Sequence, residues 1–202
     1  MTNVPCHTAK CYSHLVEEKT VYTFTIGRKN KNKKLVIDFT NSEFFHLAGI
    51  QHINDVEFPT PKTEDIFLLI RDDITFQEKI LASKQYPNII ERITDLEHLD
   101  WLLMKPDDIV VWEQRRANFK TDLKTDYLFS RTHDSLYDFF GIKKIADGSY
   151  KGNTFFVETS KKYINGQTKW TVLKIERSTE NSSETLFVHP RFNEDKVNQD
   201  NS

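Results

Sequence analysis

Two periods of apolar residues divide this chain. After Pro106 they alternate, or cluster in short runs bounded by turn residues: DIVVWEQ, TDYLFSR, DSLYDFFGIKKI, GNTFFVETS and QTKWTVLKIER. A period of two with β-branched and aromatic residues marks strands. Asn165-Gly166 is the best turn signal in the chain and predicts a type I′ hairpin turn. Beyond it Thr171, Leu173 and Ile175 share one strand face, and Trp170 and Val172 the other. Just before the strands, in PNIIERITDLEHLDWLLM, Ile89, Ile93, Leu96 and Leu103 recur at helical spacing. Ile90 and Leu99 widen that stripe, Pro87 suits a first helical turn, and Pro106 ends the helix. The first half is more mixed. Residues 1–8 read as a loose start, and AKCYSHLVEEK as a short helix with Leu15 and Val16 inward. TVYTFTI and KLVIDFT read as a hairpin with a basic tip, GRKNKNKK. Asn41-Ser42, Thr63 and Thr75 each open a short helical segment.

The expected fold is therefore α+β: an N-terminal hairpin and several helices packed on a C-terminal antiparallel β-meander. Residues 1–178 form one domain. Residues 179–202 contain a brief TLFVHPRF within a polar tail that is expected to be disordered. With 15 Phe in 202 residues, the core is expected to be aromatic-rich.

A net charge of −2 excludes a global basic field for nucleic acid, so such a site must be a local patch. Cys6 and Cys11 are the only cysteines, which is no disulfide framework and points to a reducing cytoplasm. No apolar run approaches membrane-spanning length and no leader pattern opens the chain, so neither a membrane nor secretion is expected.

Candidate chemistry is scattered. Cys6, His7, Cys11 and His14 carry zinc-ligand chemistry, but their spacing matches no zinc module and they read as incidental. Arg28, Lys29, Lys31, Lys33 and Lys34 could contact a polynucleotide through its phosphates; the plainer reading is a solvated hairpin tip. His46 and His52 flank Gly49 and can exchange protons near neutral pH. Asp72-Asp73 and Asp107-Asp108 sit at element boundaries, where helix capping explains them better than metal binding. No Walker loop, dinucleotide fingerprint, HExxH or GxSxG is present, so no cofactor or metal is expected. On the sheet, Lys124, Tyr127, Arg131, Thr154 and Gln167 suit acid–base or phosphate chemistry without a metal. In an ideal strand, however, Lys124 and Tyr127 would point to opposite faces.

FFHLAGIQHI resembles the F-x-H-L-x-G signature of small phage and prophage proteins in the barnase–EndoU–colicin–RelE-like nuclease superfamily, and most of all their fourth subfamily. IIERITDLEHLDWLL, with its central Arg92, then LKTDYLFSR, DSLYDFFGI and NTFFVETSKKYINGQTKWTVLKI resemble later pieces of that family in order, over about residues 10–177. Ala48 departs from the pattern, which has Leu before Gly49. The resemblance implies a RelE/barnase-like fold and a metal-independent, toxin-like endoribonuclease in the host cytoplasm. Cleavage by the ribose 2′-hydroxyl needs a base, an acid and cationic stabilisation of the phosphorane. In those terms His46 is the implied base or acid, and Arg92 and Lys124 carry charge stabilisation. Tyr127, Thr154 and Gln167 donate hydrogen bonds or orient a base. The alternative is a non-catalytic module on the same scaffold, contacting RNA, the ribosome or a host protein.

Overall fold

A computed structural model of the chain describes residues 3–193. Helix α1 (Val4–Glu17) starts earlier than expected: the Asn3 side chain accepts the Cys6 N–H at 3.3 Å and Pro5 sits in the first turn. Residues 4–8 are thus helix rather than a loose lead-in, and Thr8, Ala9, Tyr12 and Leu15 bury one stripe. Tyr22, Phe24 and Ile26 alternate with threonines along β1 (Val21–Arg28), which turns into β2 (Lys31–Asp38). The turn residues Lys29 and Asn30 both have positive φ, 48° and 62°. That primed geometry matches the twist of the paired strands.

The helical layer follows: α2 (Asn41–Leu47), α3 (Thr63–Asp72), α4 (Ile74–Leu81), α5 (Ile90–Asp95) and α6 (Leu99–Met104). The single helix expected over 87–104 is divided, with a 3-10 turn at Leu96–His98 between α5 and α6. Its buried residues explain the break. Ile93, Leu96, Leu99 and Leu102 recur every three residues, which fits the tighter 3-10 winding better than 3.6. None of the described helices is long and apolar enough to cross a membrane.

Strands β3 (Asp108–Val111), β4 (Tyr127–His133), β5 (Leu136–Lys144) and β6 (Tyr150–Glu158) pair antiparallel in succession. The expected meander stops there. β7 (Thr168–Ser178) does not continue it but pairs with β3 (Ile109↔Trp170) and with β1 (Phe24↔Ile175). β2 meets β6 through one parallel pair, Ile37↔Tyr150. The ring β1-β2-β6-β5-β4-β3-β7 closes into a seven-stranded barrel, with β8 (Ser183–Val188) added beside β7. The fold is α+β, but a barrel rather than an open meander. Asn165-Gly166 is a turn, with Gly166 at φ 76° and the Asn165 N–H on the Lys161 carbonyl. It belongs to a crossing segment, not to a hairpin of paired strands. Of the segment expected to be a tail, Ser183–Val188 forms β8 and residues 194–202 lie outside the described residues.

Alternation sorts the aromatic residues into two cores. Phe24, Phe129, Phe140 and Phe155 fill the barrel and run on into the helical layer. Val110, Trp112, Leu128, Phe139 and Ile164 form a second cluster outside it, packed by Phe119 and Tyr163. Where β2 stops, α2 takes over along β6. Lys151 bonds Asp38 and faces Glu43, and a Cβ added to Gly152 would lie 3.3 Å from Leu47.

Candidate active site

The end of α2 runs into Gly49, whose φ of 77° turns the chain into a 3-10 segment, Ile50–His52. Glycine enters this left-handed region without penalty. The turn sets His46 and His52 on an exposed rim. Helix α5 brings Arg92 beneath them. Its Nε donates to the Leu47 carbonyl at 2.8 Å and its Nη2 to the His46 carbonyl. Gly49 also makes the approach possible, because a Cβ there would be 3.0 Å from Arg92 Cδ. A cleft of about 550 Å³ opens beside Arg92, lined by His52, Asn88, Ile89, Glu91, Arg92, Phe156 and Val157; His46 stands outside that lining. Burial lowers the Arg92 guanidinium to about 10, so it stays charged at neutral pH. Burial first, then the Arg92 charge, holds both His46 and His52 below the ordinary histidine value. Gln51 Nε2 lies 3.3 Å from His52 Nε2. The arrangement presents two imidazoles biased to neutrality beside a fixed cation.

None of the other residues expected at the site lines this cleft. Lys124 is exposed ahead of β4, so strand alternation does not govern its direction; its carbonyl accepts the Asn153 amide at 2.6 Å. Thr154 packs across Gly141, where an added Cβ would meet Thr154 Cγ2 at 2.6 Å and Thr125 Oγ1 at 2.9 Å. Tyr127 faces the barrel interior, and its hydroxyl takes a hydrogen bond from Lys33 at 3.3 Å. Its ring stands 5.6 Å from Tyr150, and burial raises its phenol. Gln167 is buried and spends its amide on the backbone of Glu113: Oε1 accepts the N–H at 3.0 Å and Nε2 donates to the carbonyl at 3.2 Å. Arg131 stacks on Trp101 and donates to its carbonyl. Tyr127 is beside Tyr150 at the start of β6, whereas Val157, beside Arg92, comes seven positions later in that strand. The strand rise puts roughly 20 Å between them. His46 and Arg92 therefore stand together, and Tyr127 belongs to the far end of the barrel.

The basic tip is split by strand parity. Arg28 follows Ile26 on the inward face of β1, and Lys31 and Lys33 share the face of Leu35 on β2; Lys34 is on the other face. Lys29 sits in the turn, and all five cations are exposed. Lys33 lies over Trp170 at 5.4 Å and Tyr127 at 6.0 Å, a basic and aromatic barrel mouth.

Cys6, His7, Cys11 and His14 do not converge. Cys6 donates to the Arg71 carbonyl, while His7 reaches Glu97 at 3.1 Å and Cys11 at 3.7 Å. A different group was not singled out by its residue pattern: Asp95, His98, His133 and Asp138. Asp95 and His98 are three apart at the end of α5, a spacing that puts both on one helix face. His133 and Asp138 come together through the tight turn Asp134-Ser135, both of whose residues have positive φ. Asp138 is 0% exposed. Burial first, with His133 opposing and Asp95 adding, pushes its carboxyl up to about 7.

The family described as phage-Barnase-EndoU-ColicinE5/D-RelE like nuclease4 matches residues 6–189. No curated protein and no solved structure matches the chain.

Proposed function

We propose that this chain, which belongs to the phage-Barnase-EndoU-ColicinE5/D-RelE like nuclease4 family, is a metal-independent, toxin-like endoribonuclease working in the cytoplasm of a host cell, with His46 on the rim beside the cleft that His52 and Arg92 line. The observation that carries the reading is the Arg92 guanidinium clamped under the His46 and Leu47 carbonyls, beside two histidines biased to the neutral form. In this mechanism His46 removes the proton of a ribose 2′-hydroxyl, and that oxygen attacks the adjacent phosphorus. The P–O5′ bond breaks, and protonated His52 supplies the proton to the leaving 5′-oxygen. The products are a 2′,3′-cyclic phosphate and a 5′-hydroxyl. A guanidinium has five N–H groups; the bonds to the two carbonyls leave others to hold the charged phosphorane oxygens. Lys124 and Thr154 extend contact along the RNA. Tyr127 and Gln167 hold the scaffold, and the basic mouth around Lys33 collects flanking phosphates.

The test is cleavage of labelled RNA in EDTA by wild type, His46→Ala and His52→Ala, with a second substrate carrying 2′-deoxyribose at the cut position. Cleavage lost in both folded variants, and refused by the deoxy substrate, is the expected result. No cleavage by folded wild type across several structured and ribosomal RNAs would overturn it. The binding-module reading then takes precedence. One observation favours that reading: a groove between α3 and α4 where Ile74 is 69% exposed beside Leu68, suited to a protein partner.

A further inference from the structure

Beyond the cleft, the junction of α5, α6 and the β4–β5 hairpin gathers ionisable side chains around the buried Asp138, with unmet bonding capacity. One ligand atom each from Asp95, His98 and His133 lies within 4.8 Å of the other two. His133 turns Nε2 toward Asp95 Oδ1 at 4.0 Å and Nδ1 toward Asp138 Oδ2 at 3.4 Å. His98 has Nε2 3.7 Å from Glu97 and buries Nδ1 without a hydrogen-bond partner. Both carboxylate oxygens of Asp138 and Nδ1 of His133 are likewise buried and unbonded. Orphaned buried polar atoms are costly and rare in folded proteins. Arg131, the nearby guanidinium, is turned to the Trp101 carbonyl and ring. Two carboxylates and two imidazoles are thus gathered, Asp138 fully buried and His98 partly exposed, with no Lys or Arg bonded to either carboxylate among the described residues.

We propose that Asp95, His98 and His133 bind a divalent first-row transition metal ion of the zinc class, with Asp138 orienting His133 from behind. Imidazole and carboxylate together suit such ions, whereas calcium and magnesium prefer all-oxygen shells. A carboxylate on the far nitrogen of a ligating histidine fixes its tautomer and ring direction. His133 Nδ1 faces such a carboxylate, Asp138, at 3.4 Å, and His98 Nε2 faces Glu97 at 3.7 Å. Three protein ligands leave a coordination position for water. The ion ties the helical layer to the β4–β5 hairpin. Asp95 is one helical turn from Arg92, so the site braces the cleft's helix without entering it. The inference does not rest on RNA cleavage.

The experiment is titration of EDTA-stripped, dialysed full-length protein with zinc by calorimetry, with bound metal counted by mass spectrometry and Co²⁺ absorption as a coordination probe. One ion per chain, a rise in Tm with zinc, and loss of both in Asp95→Asn and His98→Gln are expected. Asp138→Asn is expected to weaken binding roughly 10–100-fold, and His7→Ala to leave it unchanged. His98→Gln replaces a partly exposed side chain, so it reports even if His133→Ala fails to fold. Folded wild type that takes up no zinc would overturn the proposal. So would binding that survives Asp95→Asn and His98→Gln but disappears in His7→Ala, which would place the ion at the separate His7–Cys11–Glu97 group.

Discussion

Gly49 makes room for Arg92: a single added methyl would stand 3.0 Å from Arg92 Cδ and 3.2 Å from its Nε. Since φ at Gly49 is 77°, any side chain there is both strained and crowded. The Gly49→Ala variant is expected to lose about 1–3 kcal/mol of stability and to lose cleavage out of proportion to its folded fraction. Denaturant melts alongside cleavage rates on the same preparation check this. Unchanged activity would mean that Arg92 need not sit where it does.

The pH dependence of cleavage follows from the two histidines. Both are held below the usual imidazole value, mainly by burial and secondly by the Arg92 charge. One must be neutral and the other protonated, so kcat/KM is expected to be bell-shaped with its maximum on the acid side of about 6.5. Arg92→Gln removes one of the two causes, and the limbs of the profile are expected to move to higher pH. A profile still rising above pH 8 would point to a different base.

Glu43 gives a stability signal separate from activity. Its carboxyl is buried, one oxygen is unbonded, and burial raises it from 4.5 to about 7 despite Lys151 and Thr40. Raising the folded value means that the folded state holds the proton more tightly. The contribution is full below about pH 4.5 and declines as pH rises through about 7, on the order of 3 kcal/mol in all. Urea melts of wild type and Glu43→Gln across that window are expected to differ in slope, the variant being flatter. Parallel slopes would show that Lys151 keeps Glu43 ionised throughout.

Gln167 tests the difference between a scaffold residue and a reacting one. Both its amide atoms serve Glu113 backbone groups where β3 ends and β7 begins. Gln167→Ala is expected to cost about 1–3 kcal/mol and to leave the cleavage rate of the folded fraction unchanged. A folded variant with normal stability and no activity would return this residue to the chemistry.

Strands and the β1–β2 hairpin are legible in the sequence because Tyr22, Phe24 and Ile26, or Leu128 against Phe129, alternate with the pleat. Closure of the barrel is not, because nothing local in QTKWTVLKIER records that its partners are β1 and β3 rather than β6. The primed turn is a similar case. Asn165-Gly166 has the better composition, yet Lys29-Asn30 makes the hairpin, since paired strands on both sides outweigh turn preference. The Arg92–His46 meeting of α2 with α5 is suggested only by the family resemblance. Asp138 and His133 carry no motif because their neighbours Asp95 and His98 arrive from another layer.

Barrel closure also fixes an order of events during synthesis. Phe24 pairs with Ile175 and Ile109 with Trp170, so β1 and β3 each wait, one edge bare, until the ribosome has delivered β7. A nascent chain stalled before Thr168 exposes two unpaired strand edges, the kind of surface that recruits other strands or chaperones. The barrel closes only once β7 is in place, so truncation that removes β7 should be far more damaging than its distance from the cleft suggests.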